Sequence, residues 1–261
     1  MDYNHFFRFF SKNNYKPKKN FSLTISKMSS NMLNLLDLSH INISSHPKID
    51  LRNKMPPIMD QGSIGASVAN ALCCVVDYLN LKLNASRLFL YYNESELEGK
   101  HNSEPGSKLQ DGITSLINNG ICSESLWPYD TLKYMTKPHD DCYKAALDHK
   151  VIKANNIHND IDSMKAALLN GNPFVVGILV YSSFETDMVA KTGIVPMPIG
   201  TDILLGGHAV VCVGFDDIKE QFIMRNSWGT AWGDNGHFYV PYAYLASSTL
   251  TSDLWCLSKI H

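Results

Sequence analysis

Four side chains of this sequence are of the types that acyl transfer uses: Gln61, Ser67, His208 and Asn226. A hydroxyl or thiol attacks a carbonyl efficiently only when a neighbouring base takes its proton, and that base works best when a third group fixes its orientation. A side-chain amide such as that of Gln61 can donate to the oxyanion that develops on the substrate. Ser67 opens a run in which Val68, Leu72, Val75, Val76 and Leu79 recur at helical intervals, which predicts a buried helix of about four turns. Gly62 and Gly65 precede it and permit a tight backbone. The first turn of a helix favours an anion, which would ionise a thiol at position 67 but does little for a hydroxyl. Taken alone, Ser67 reads equally well as a helix cap. His208 leads an apolar run, 209–215, that predicts a buried strand, and Asn226 stands in a turn with Trp228, Trp232 and several glycines.

These segments resemble the papain-like (cathepsin-type) cysteine peptidases, with a serine where that family has its nucleophilic cysteine. Positions 67 and 208 are 141 residues apart, within the interval of about 130–150 that separates cysteine and histidine in that family. The segment Gly120-Ile121-Cys122-Ser123-Glu124, followed by Trp127-Pro128-Tyr129, resembles another family signature, G-I-x-x-E…Y-P-Y. The resemblance implies catalytic roles for Gln61, Ser67, His208 and Asn226. Residue 67 would attack the scissile carbonyl, and His208 would take its proton and return one to the leaving amine. Asn226 would orient the imidazole, while Gln61 and the backbone N–H of residue 67 would hold the oxyanion. Trp228 would cover the His–Asn hydrogen bond, and Gly65, Gly106 and Gly207 would bring backbone close to the substrate. The resemblance implies no cofactor and no metal.

Three readings of the serine stay open. It is an introduced Cys-to-Ser exchange that silences an otherwise intact site, the natural residue of a non-catalytic peptide-binding relative, or the nucleophile of a Ser-His-Asn hydrolase. The first is favoured, because the oxyanion glutamine and every other recognised group are in place. A site tuned to a thiolate–imidazolium pair does not readily activate an alcohol. A protease for ubiquitin-like modifiers is a further alternative. The expected partner is a peptide or protein substrate, cleaved internally since no occluding insertion is recognised.

The elements that must carry these residues divide the chain. The expectation is an α+β, papain-like two-domain fold with a helical domain, a β-barrel-like domain and the cleft between them. Residues 48–150 would be the helical domain with the nucleophile, with helices at 88–98 and 109–118 and a stop at Gly120. Residues 151–261 would be the β-rich domain with His208 and Asn226, with a helix at 161–169 and strands at 174–181, 208–215, 220–225 and 236–240. Residues 1–47 are basic, with Arg8, Lys12, Lys16, Lys18, Lys19 and Lys27 against Asp2 and Asp37. Within them, the apolar residues between Phe21 and Ile43 are expected either to pack on the body and cross or cap the cleft as an inhibitory pro-segment, or to form a loose tail with one amphipathic turn.

Composition narrows the partners. With 261 residues, 44% of them hydrophobic, and a net charge of −2, the chain can bury a large core and gives no reason to propose nucleic acid as a partner. No apolar run reaches the length of a spanning helix. The six cysteines include no C-x-x-C pair, so no zinc site is expected. Ile64 stands three residues before position 67, where secreted family members carry a disulfide cysteine. An intracellular or other reducing compartment is therefore expected, with an endolysosomal or particle-packaged location as the alternative.

Overall fold

Strand β4 (Leu204–Asp216), buried along nearly all of its length, is the spine on which the histidine is mounted. In the computed structural model, which describes residues 18–24, 35–99 and 107–260, six strands pair in the order β2-β7-β3-β4-β5-β6. These are β2 (Val151–Asn156), β3 (Phe174–Tyr181), β5 (Gln221–Arg225), β6 (His237–Pro241) and β7 (Thr251–Ile260) around β4. A short strand, β1 (Lys48–Asp50), joins the free stretch of β4 at Gly214–Asp216. Every pairing is antiparallel. The sheet is not closed, so the barrel-like half expected from the sequence is an open sheet.

Helix α1 (Ser67–Leu79) is buried at every position from Ser67 to Asp77. It needs apolar residues on all sides because it lies between the sheet, chiefly β4, and two further helices, α2 (Arg87–Leu97) and α3 (Leu109–Asn118). Each buried Val or Leu contributes about 1.5–3 kcal/mol to holding that position. The cap position of α1 is Ala66, which makes no side-chain cap bond. Ser67 is therefore the first residue inside the helix, and the cap reading of this serine is set aside. Gly120 (φ +73°) ends the turn after α3, with no room for a Cβ against the carbonyl of Ala146. The remaining α-helices among the described residues are α4 (Asp140–Ala146), α5 (Ile161–Leu169), α6 (Asp187–Thr192) and α7 (Tyr242–Leu245). No helix among the described residues is long and apolar enough to cross a membrane.

The N-terminal segment touches the body at two separate places. Residues 18–24 run over β4, with Leu23 donating its N–H to Gly207 O at 3.1 Å and Thr24 donating to Ser107 O at 3.2 Å. Leu36 donates to Asn156 O on β2, and the turn at Ile43–Ser45 rests on α5. The expectation that 21–43 packs on the body therefore holds at both ends. Its middle, residues 25–34, lies outside the described residues.

Candidate active site

Sheet register brings His208 and Asn226 together. Val211 of β4 stands opposite Arg225 of β5, so Asn226, one residue past β5, comes alongside His208 on the neighbouring strand. His208 Nε2 and Asn226 Oδ1 are 2.9 Å apart in a buried hydrogen bond. An amide oxygen only accepts, so Nε2 carries the proton and Nδ1 is the basic nitrogen. The Asn226 oxygen also accepts from Ser227 N–H at 2.8 Å, which fixes the amide's orientation. Trp228 lies over the imidazole, ring centroids 5.0 Å apart and planes 28° from parallel.

Residue 67 comes from the opposite side of the cleft. Its Oγ accepts the backbone N–H of Ala209 at 3.3 Å, which places it beside the histidine's own strand. His208 Nδ1 has no hydrogen-bond partner among the described residues. Gln61 is held between the halves, with its Oε1 accepting from Ser227 Oγ at 2.6 Å and its Nε2 donating to Ile64 O at 3.2 Å. An amide nitrogen has two hydrogens, and one bond from Nε2, to Ile64 O, is seen. The turn carrying Gln61 is tied to the turn carrying Asn226 and Trp228. Gln61 N–H donates to Ser227 O at 2.8 Å, and Gly229 N–H donates to Met59 O at 3.1 Å.

The glycines line the same groove. A Cβ on Gly65 would lie 2.0 Å from Ser22 Oγ, and one on Gly207 would lie 2.4 Å from Leu23 O. Residues 22 and 23 therefore pass between the nucleophile turn and the histidine strand. Phe21 packs edge-on against both His208 and Trp228, at 6.0 and 5.8 Å between centroids. The segment is pinned at its start by Glu185, whose two carboxylate oxygens accept the N–H groups of Lys18 and Lys19. Covered in this way, the imidazole is fully buried, and burial pushes its pKa down to about 4, helped by the nearby Lys19 charge and opposed by the Asn226 bond. The ring is therefore neutral at pH 7.

Gln61, Ser67, His208, Asn226, Gly65, Gly207 and Trp228 are thus brought together around one groove. Gly106 lies outside the described residues, and its neighbour Ser107 contributes the carbonyl that Thr24 meets. The sequence reading missed the supports of the nucleophile turn, Arg87, Asn70 and Tyr129. It also missed Glu185. Tyr129 lay within a recognised signature, but nothing in that pattern states that its hydroxyl donates to Gln61 O at 2.9 Å. The six cysteines are buried and none is in a disulfide.

One groove thus holds an imidazole bonded to an amide, a serine at a helix start beside the histidine strand, and a buried glutamine amide. Residues 46–247 match the papain family cysteine protease domain. A peptidase C1-like protein of Acanthamoeba polyphaga mimivirus, itself uncharacterised, is 38% identical over 216 residues, covering 77% of this chain and 70% of its own length. Chymopapain from Carica papaya is 27% identical over 209 residues, and the match spans 56% of its length. The structure superposes on xylellain, a cysteine protease from Xylella fastidiosa, with a TM-score of 0.82, 33% identity and coverage of 95% of this chain and 100% of xylellain. Digestive procathepsin L 3 of Tenebrio molitor shares the fold, with a TM-score of 0.67 and 20% identity. The chain belongs to the papain family of cysteine proteases.

Proposed function

We propose that this chain is built as a papain-type endopeptidase whose cleft is closed by its own residues 18–24, and that Ser67 leaves it able to bind peptides but slow or unable to cut them. With a cysteine at position 67, Nδ1 of His208 takes the thiol proton, the thiolate attacks the carbonyl, and Gln61 with the N–H of residue 67 holds the oxyanion. The imidazolium then protonates the leaving amine. Asn226 keeps Nε2 protonated throughout, so that Nδ1 does the exchanging. With serine, the hydroxyl is too weak an acid to form the ion pair. The observation that carries this reading is the buried His208–Asn226 bond, with residue 67 set against the same strand.

The N-terminal segment occupies the groove where a peptide would lie, and it buries the base. This supports an inhibitory role for it. The buried, unpaired thiols support a reducing compartment. The serine itself favours a second reading, a peptide-binding module without turnover. The experiment is Ser67→Cys in the full chain, assayed on unfolded protein, short peptide amides and ubiquitin-like conjugates beside the Ser67 form. Turnover on unfolded protein and peptides, at least about 10³-fold above the serine form, is expected. A Ser67→Cys chain inert on all three would favour the binding module, and cleavage confined to the conjugates would favour the modifier protease.

A further inference from the structure

We infer that Arg87 is a positioning residue for the oxyanion hole: one guanidinium from which both of the hole's donors are hung. The inference rests on the peptidase reading above for its meaning, but its geometry stands apart from it.

Arg87 is the first residue of α2, after the cap Ser86. A cation in the first turn opposes the helix dipole, so its placement there calls for compensation from elsewhere. The residue is nearly buried, at 9% exposure, and all three guanidinium nitrogens donate. Nε and Nη2 form a two-pronged bond to Glu124, at 3.0 and 2.7 Å. Nη1 donates to Asp60 O at 3.2 Å and to Asn70 Oδ1 at 3.1 Å. The plane lies over the Tyr129 ring, 3.8 Å from its centroid.

Three of these partners, Asp60, Asn70 and Tyr129, lead to the 60–67 turn. Asp60 O belongs to the peptide bond that joins Asp60 to Gln61. Tyr129, braced by the cation, donates to Gln61 O at 2.9 Å. Asn70, oriented by the bond from Nη1, donates through Nδ2 to Ala66 O at 2.8 Å, the carbonyl of the peptide unit that also contains the N–H of residue 67. Three carbonyls of one turn are therefore fixed through Arg87, two around Gln61 and one at the backbone donor. Lysine keeps the charge but cannot supply the fork, the third arm and the flat face together.

The test is Arg87→Lys in the full Ser67→Cys chain, with and without Gln61→Ala. A hole out of place loses transition-state binding and little ground-state binding. We expect kcat to fall about 100-fold, with KM changed less than about threefold. In the Gln61→Ala background, where half of the hole is already gone, the same change should cost at least tenfold less. Equal losses in both backgrounds, or a loss confined to KM, would overturn the inference, because a merely structural residue acts independently of Gln61. A second measurement does not need activity: hydrogen exchange of the unsubstituted Ser67 chain. Arg87→Lys should speed exchange of the amides of residues 61–67 at least tenfold while 208–215 on β4 stays unchanged, and no change at 61–67 would also overturn it. If the Ser67→Cys chain shows no turnover, the peptidase reading falls, and the exchange result still decides whether Arg87 holds this turn.

Discussion

The two sides of the cleft are held by different kinds of force. On the nucleophile side, the 60–67 turn is fixed by directional polar contacts, from Arg87, Asn70 and Tyr129 beneath and from Ser227 across the groove. On the base side, His208 is set by sheet register and roofed by packed rings. Trp228 stacks on it, while Phe184 and Trp232 meet Trp228 edge-on at 5.7 and 4.9 Å. Hydrogen bonds specify direction and rings exclude water. The comparison teaches that the donors need accurate aim, whereas the imidazole needs a dry, fixed place. Loosening the polar supports of the first side should therefore appear in rate, and removing the rings that roof the second largely in stability and pH behaviour.

The largest effect expected is from His208→Ala in the Ser67→Cys chain. Peptide turnover should fall by about 10³-fold or more, measured as kcat on a peptide amide. A loss below tenfold would remove the base side from catalysis altogether. Next is Trp228→Ala, which removes the roof. A buried Trp truncated to Ala costs about 3–5 kcal/mol, to be read from urea unfolding of the Ser67 form. A cost under about 1 kcal/mol would mean that the aromatic shell does not hold this side together.

Smaller effects separate the cleft from its cover. Phe21→Ala removes the ring that packs on His208 and Trp228, so residues 18–24 should be loosened and the cysteine form should gain about tenfold in initial rate. That rise corresponds to about 1.4 kcal/mol of lost closure. Unchanged hydrogen exchange at residues 21–24 would contradict it. Acid should act in the same direction. Beneath the segment, His208 has its pKa lowered to about 4 by burial, and released to solvent it returns toward about 6.5. The open form therefore binds more protons between about pH 6.5 and 4, and closure weakens as pH falls through that window. Exchange at 21–24 in the Ser67 chain should be faster at pH 4.5 than at pH 7 after correction for the intrinsic chemical rate. The global stability contribution of this histidine has the same sign, full above about pH 6.5 and lost on acidification toward pH 4, and buried His237 adds to it.

Much of this arrangement was legible in the chain. The periodicity from Val68 to Leu79 gave α1 its bounds because a helix buried on all sides leaves few polar interruptions. Phe174–Tyr181 was readable as a strand for the same reason. β7 was not. Its Asp253 sits at φ +54° and its pairing with β3 shifts register between Val175 and Gly177, so no clean alternation survives. β2, Val-Ile-Lys-Ala-Asn-Asn, likewise lacks alternation and shifts register against β7. At the site, Gln61, Ser67, His208 and Asn226 sit in local patterns that carry their proposed chemistry with them. Arg87 does not, since its meaning comes from partners 17, 27 and 37 residues away. The course of residues 18–24 was likewise tertiary. Only their apolar residues and the nearby lysines hinted that they would dock.

The most direct measurement is covalent labelling of the full Ser67→Cys chain with a peptide epoxide, read by mass spectrometry after digestion. The other six thiols are buried, and burial raises Cys74 to about 11 and Cys122 and Cys256 to about 12, so they should stay unmodified. One label per chain is expected, on residue 67, abolished by His208→Ala without transfer to any other cysteine. Labelling that ignores His208, or that spreads over the native cysteines while residue 67 remains free, would contradict a nucleophile and base working together across this groove.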